Sequence, residues 1–229
     1  MKLHMPHDWS MTPREAIALQ NQLACLVIAD LPLMLDSVRL VAGVDVSVKP
    51  DPATGQDISR AAVAVLNFPG LEVLEVARAA MPTPFPYIPG LLSFREGPVL
   101  VQAFEKLQHT PDVFLFDGMG RAHPRRIGIA SHMGLWLDRP TVGCGKTHLL
   151  GTNAPVGSEA GSYSPLMDRD EIIGAVLRTR AHVKPVYISA GHRIDLESAL
   201  ALTMRCTTRY RLPEPIRAAH HAAGEHFLD

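Results

Sequence analysis

Val41-Ala42-Gly43-Val44-Asp45-Val46-Ser47-Val48 decides the fold when it is read beside Val113-Phe114-Leu115-Phe116-Asp117-Gly118. Both runs are rich in β-branched or aromatic residues, the composition of buried strands. Each run carries one aspartate. A carboxylate in an apolar run is costly to bury unless something neutralises it. Two such acids point to a shared cation, and a hard divalent ion takes oxygen ligands. Alternation along the first run puts Gly43, Asp45 and Ser47 on one face and Val44, Val46 and Val48 on the other. By itself Asp45 could instead be the partner of an arginine or a backbone amide. Asp117 ends its strand where open α/β sheets place ligands, but an acid before glycine also caps turns.

Working outward, Thr12-Pro13-Arg14-Glu15 is a capping box with proline at the first helical position. It predicts a helix to about Asp30, with Ala16, Leu19, Leu23 and Val27 on one face. Strands are expected at Arg39 to Val48, Ser59 to Asn67 and Leu71 to Ala79. Pro50 to Gly55 and Phe68-Pro69-Gly70 supply the turns of an antiparallel meander. A helix is then expected from about Glu96 to Gln108, which would put Glu96 at a helix start, where an acid is favourable for charge reasons alone. The strand Val113 to Phe116 follows, then a helix around Ile127 to Leu137 and a strand around Thr141 to Cys144. Further strands are expected at Glu171 to Arg180 and Val186 to Ser189, a helix at Asp195 to Cys206, and a last helix near Pro215. Thr152 to Ser164 is Gly/Ser-rich and reads as a surface loop. The order implies an α/β fold: a mixed sheet with helices on both faces, in a single domain over residues 1–229.

Composition narrows the class. The 229 residues are 47% hydrophobic and 20% charged, which suits one domain with a substantial core. No apolar stretch is long enough to span a bilayer, and the opening residues lack a signal core, so a cytoplasmic protein is expected. Cys25, Cys144 and Cys206 are scattered and suggest no disulfide frame. The net charge of −1 does not announce a nucleic-acid binder. Arginines do cluster at Arg121, Arg125 and Arg126, and at Arg205, Arg209 and Arg211; a solvated face accounts for both groups.

Other residues could carry chemistry. Gly145-Lys146-Thr147 resembles part of a phosphate loop, but the glycine needed five positions before Gly145 is Pro140, so that reading fails. Lys146 still follows a strand end, where a cation could meet a phosphate. His220-His221 with His226 lacks the spacing of a structural zinc site. His192 follows an apolar strand and could orient a neighbour or cap the turn. Pro84-Phe85-Pro86-Tyr87-Ile88-Pro89-Gly90 is a stiff loop. Phe85 is expected to pack over the core, while an exposed Tyr87 and Ile88 would suit a wedge entering a base stack.

Together these segments closely resemble the endonuclease V family, the deoxyinosine 3′ endonucleases. The resemblance is carried by Val41 to Asp45, Phe85 to Pro98, Asp117-Gly118, Ala122-His123-Pro124-Arg125, Gly128 to Gly134, Gly191-His192 and Pro213-Glu214-Pro215, in order along nearly the whole chain. It implies a ribonuclease H-like fold. It implies a magnesium-dependent nuclease, with manganese as a substitute, acting as a monomer on DNA that contains deaminated bases, with RNA as a second candidate. Cleavage is expected one nucleotide 3′ of hypoxanthine, leaving 3′-hydroxyl and 5′-phosphate ends. By the same resemblance Asp45, Glu96 and Asp117 are metal ligands, Lys146 is the catalytic lysine, and His220 lies near the metal. Tyr87 is the tip of a wedge formed with Pro86, Ile88 and Pro89. Gly90, Leu92, Gly118, Gly128 and Leu149 surround the pocket for the flipped base. Cys144 and Gly145 before Lys146, and His148 after it, depart from the family pattern around that pocket. Two other readings compete: a ribonuclease H-like nuclease cutting branched DNA or an RNA strand, which gives the proline loop no purpose, and a lesion-binding protein without catalysis, which has no need of both aspartates.

Overall fold

The computed structural model describes residues 1 and 3–224; residues 2 and 225–229, His226 among them, lie outside the described part. Its elements run in the order α1 (Pro13–Leu23), β1 (Leu40–Pro50), β2 (Asp57–Asn67), β3 (Val73–Pro82), α2 (Leu92–Glu105), β4 (Val113–Phe116), α3 (Ile129–Leu137), β5 (Thr141–Gly145), β6 (Tyr163–Asp168), β7 (Glu171–Leu177), β8 (Val186–His192), α4 (Leu196–Arg205) and α5 (Glu214–Gly224). Eight strands form one sheet in the order β3-β2-β1-β4-β5-β8-β7-β6. The first three strands are the expected antiparallel meander. β4 then joins β1 in parallel, and β5 joins β4 in parallel. The last three strands return to antiparallel pairing.

Alternation in β1 sorts the core into two layers. Ala42 and Val44 point toward α2 and α3, where they meet Val99, Phe104, Ala130 and Met133. Val41 points the other way, into a layer that holds Ile216 and Ala219 of α5 and Leu202 of α4. Strands covered on both faces must be apolar throughout, as β4 is: all four of its residues are buried. The ribonuclease H-like mixed sheet with helices on both faces is therefore the fold.

Three expectations of detail need correction. α1 stops at Leu23, short of Asp30, because the chain beyond it is drawn into extended contact with the β8–α4 turn. There Ile28 donates its amide to His192 Nδ1 at 3.2 Å, and Leu31 accepts from the Asp195 amide at 2.8 Å. Such tertiary bonds override helix propensity. α2 starts at Leu92, so Glu96 sits in its second turn and does not open it. Leu91 and Phe94 are buried with Phe85 and Ala16, and this small cluster fixes the early turn. Finally, the reading of Thr152 to Ser164 as a loop overlooks the start of β6. Pro165 obscures that strand in the sequence, but β6 lies at the sheet edge, where a missing amide proton is tolerated.

Candidate active site

The parallel register builds the site. Val44 of β1 stands opposite Phe116 of β4, and the Asp117 amide donates to the Val44 carbonyl at 3.0 Å. The next residue on each strand is the aspartate, so Asp45 and Asp117 lie side by side at the end of the parallel pair. Gly43 brings in the third group. A Cβ at Gly43 would come within 1.8 Å of the Pro215 carbonyl oxygen, so the start of α5 rests directly on β1. His220, farther along α5, then reaches the acids, with its Nδ1 2.6 Å from Asp45 Oδ2. The Val46 amide donates to the other Asp45 oxygen at 2.9 Å.

This contact makes a direct prediction. Gly43→Ala pushes α5 off β1, because the clash is with backbone that cannot rotate away. The expected cost is about 1–3 kcal/mol of stability, as for other overpacked sites. Urea unfolding would read the loss. A variant as stable as wild type would show that α5 does not need this close approach.

Asp45, Asp117 and His220 each offer a ligand atom, and those atoms lie within 4.8 Å of one another. Lys146, just past β5, forms an ion pair with Asp117. Glu96 does not share this tight centre, although it lies close enough to feel both aspartates. Burial, and then the charges of Asp45 and Asp117, push its pKa up to about 8. Asp45 is also raised, first by burial and then by Asp117, against the opposing pull of His220 and Lys146. These carboxylates cannot all ionise together at low cost without added positive charge. That electrostatic demand, and the oxygen-rich donor set, fit a hard divalent cation.

A cavity of about 410 Å³ opens beside the acids. Asp117 and Lys146 belong to its wall, as do all five residues expected around a base pocket: Gly90, Leu92, Gly118, Gly128 and Leu149. The proline loop forms one side through Tyr87, Ile88 and Pro89; Pro86 is exposed and does not line it. Phe85 is buried as expected. Tyr87 is 72% exposed, but Ile88 is half-buried against the Phe85 cluster, so the expectation of two free side chains holds only for the tyrosine.

The loop is held from below by a knot that sequence reasoning missed. The Gly90 carbonyl accepts from Gln20 Nε2 at 3.1 Å, His123 Nε2 at 3.0 Å and Arg125 Nη2 at 2.7 Å. His123 Nδ1 accepts from the Arg125 amide, so the ring donates to Gly90 as the neutral Nε2–H tautomer. Burial, with Arg125 beside it, lowers the His123 pKa to about 4. Gly90 itself has φ +82°, and a Cβ there would meet Arg125, so glycine suits both the turn and the contact. A carbonyl shared by three distant side chains leaves no trace in local sequence pattern. Arg211 is a second omission: its guanidinium donates to the Lys146 and Pro185 carbonyls, each at 2.8 Å, and so anchors the lysine's segment. Arg121 and Arg126, read as a solvated face, pair with Glu171 and Asp168 across to the β6–β7 turn. His192 serves the structure, accepting from Ile28 at the far end of β5 from Lys146.

An acidic centre at the ends of parallel strands in this fold, with a lysine and a deep cavity beside it, defines a nuclease of the ribonuclease H-like class. The sequence profile of endonuclease V matches residues 22–221. Endonuclease V of Trichormus variabilis is 51% identical over 98% of this chain and 99% of its own length, and that of Dehalococcoides mccartyi is 50% identical over 98% of each. Among solved structures, endonuclease V of Bacillus subtilis superposes with a TM-score of 0.93 at 32% identity, covering 97% of this chain and 95% of its own. Endonuclease V of Ciona intestinalis, solved with DNA containing an inosine, superposes with a TM-score of 0.77 at 26% identity, covering 92% of this chain and 95% of its own. The chain belongs to the endonuclease V family.

Proposed function

We propose that this protein is a magnesium-dependent DNA repair endonuclease that recognises deoxyinosine and cuts the strand one nucleotide to its 3′ side. The observation that carries this reading is the sharing of Asp117 and Lys146 between the acidic centre and the cavity wall. A base held in the cavity leaves its own strand lying across the acids. The Ciona relative, bound to inosine DNA, supports the choice of lesion. Asp45 and Asp117 would hold the magnesium, with Glu96 behind them, and manganese would serve in its place. Bound there, the ion supplies Lewis-acid charge to the phosphate oxygens.

The chain's own residues do the rest. His220 and the Val46 amide each fix one oxygen of Asp45, so the carboxylate is set before substrate arrives. Lys146 brings positive charge to the place where negative charge grows on the phosphate. Gly90, Gly118 and Gly128 leave the cavity wall open to a flat ring, and Leu92 and Leu149 supply apolar contact. A base must leave the stack to enter, and a deaminated, weakly paired base costs less to extrude. Among the described residues no helix is long and apolar enough to cross a membrane, in keeping with a monomer working on DNA in the cytoplasm.

The test is a cleavage assay on matched strands with inosine or adenine, in DNA and in RNA, with and without magnesium. Magnesium-dependent cutting of the inosine DNA is expected; equal cutting of the adenine strand would refute the lesion reading. A second experiment isolates Tyr87. Its ring is held outward by a loop that Arg95 pins at the Phe85 carbonyl, at 2.9 Å, and that the Gly90 knot holds from below. Tyr87→Ala should weaken binding to an inosine duplex by about 1–3 kcal/mol, the size of a stacking contact. The loss should be smaller on a single strand, where no stack is parted. Gel shifts in calcium on both substrates measure this, and unchanged affinity for both would remove Tyr87 from the interface.

A further inference from the structure

We propose that Tyr210 and Arg209 form a second strand-binding platform, which takes the nucleic acid on the 3′ side of the scissile phosphate. The inference rests on the functional reading above and extends it beyond the cavity.

Tyr210 is 45% exposed, though large aromatic rings are usually covered. The Arg217 guanidinium stacks on the ring, with Cζ 3.3 Å from its centroid. The ring is thus backed by a cation and has its remaining surface in solvent. Arg209 lies beside it, Cζ 5.6 Å from the centroid, and is exposed. Among the described residues Arg209 makes no hydrogen bond or ion pair. The nearby acid, Glu214, is already engaged by Arg217 Nε at 3.4 Å and by the Thr208 hydroxyl. An aromatic face with a free cation next to it is what a single strand needs: a surface for a base and a charge for a phosphate.

Two links place this platform beside the reactive centre. Arg217 stands one helical turn before His220 on α5, so the two side chains share a face. Arg211, the residue after Tyr210, bonds the Lys146 carbonyl at 2.8 Å. The cavity lies on the other side of the centre, because it is lined by Asp117 and Lys146 but not by His220 or Tyr210. The order across the surface is therefore cavity, acids, His220, then Tyr210. A strand with its lesion base in the cavity and its cut bond at the acids continues toward Tyr210, in the 3′ direction.

The probe is single-stranded DNA with one inosine, in two lengths, bound in calcium. One strand ends at the second nucleotide 3′ of the lesion, and the other runs on by about eight nucleotides. Wild type should bind the longer strand more tightly. Tyr210→Ala should lower affinity for the longer strand by roughly tenfold or more, the effect of a lost stacking contact, and leave the shorter unchanged. Arg209→Gln, at an exposed position that does not threaten the fold, should flatten the salt dependence of binding to the longer strand by about 0.7 in log–log slope. No advantage of the longer strand in wild type, or equal losses on both strands, would overturn the platform. A wild type that prefers the longer strand but ignores inosine would overturn the lesion reading alone.

Discussion

Asp117→Asn is expected to lower single-turnover cleavage of an inosine strand by about a thousandfold or more while the protein stays folded. Asp117 belongs to the acidic centre, pairs with Lys146 and lines the cavity. The amide keeps the shape of the carboxylate but loses the charge that holds a divalent cation. Charge stabilisation by such a cation accounts for several kcal/mol of barrier lowering, which sets the scale. Asp45→Asn should behave alike, since the parallel register makes the two residues neighbours. Binding in calcium should survive in part, because Tyr87 and the cavity wall remain. Near wild-type cutting by either variant would move the chemistry away from these strands.

Lys146→Ala should slow the single-turnover rate by roughly a hundredfold or more, as for other lost transition-state donors. The lysine faces two demands. In the free protein its charge is spent on Asp117, and in the reaction it meets the phosphate. Lys146→Ala leaves Asp117 without its ion-pair partner, so the variant may be compared with Lys146→Arg, which keeps the charge. Recovery of most of the rate by arginine would mark a role of charge alone, and equal rates for alanine and wild type would place Lys146 on the ordinary surface.

The centre of this site was legible because it is written in strand periodicity. Asp45 and Asp117 end two apolar runs, and the alternation of β1 and the parallel pairing with β4 do the rest. The capping box at Thr12 marked the start of α1 for the same reason: its signal is local. The resemblance to a family supplied what periodicity could not, namely the positions around the cavity and His220 on a distant helix. The misreadings share a cause. Val27 to Leu31 left the helix for hydrogen bonds to residues more than 160 positions away. Gln20 and Arg125 meet at Gly90 across comparable gaps in sequence, and Arg211 meets Lys146 across 65 residues. Ile88 turned inward because Phe85 and Phe94 built a cluster beneath it. Long-range contacts of this kind depend on the finished fold, and local pattern carries no record of them.

The account stands or falls on where the strand is cut. The measurement is the product of a DNA strand labelled at one end and carrying a single inosine, sized after a single turnover in magnesium and tested for its end groups. The account predicts one product, broken one nucleotide 3′ of inosine with a 3′-hydroxyl and a 5′-phosphate, absent when magnesium is chelated and absent with Asp117→Asn. A cut at inosine itself, a cut on its 5′ side, or the same product from Asp117→Asn would contradict it.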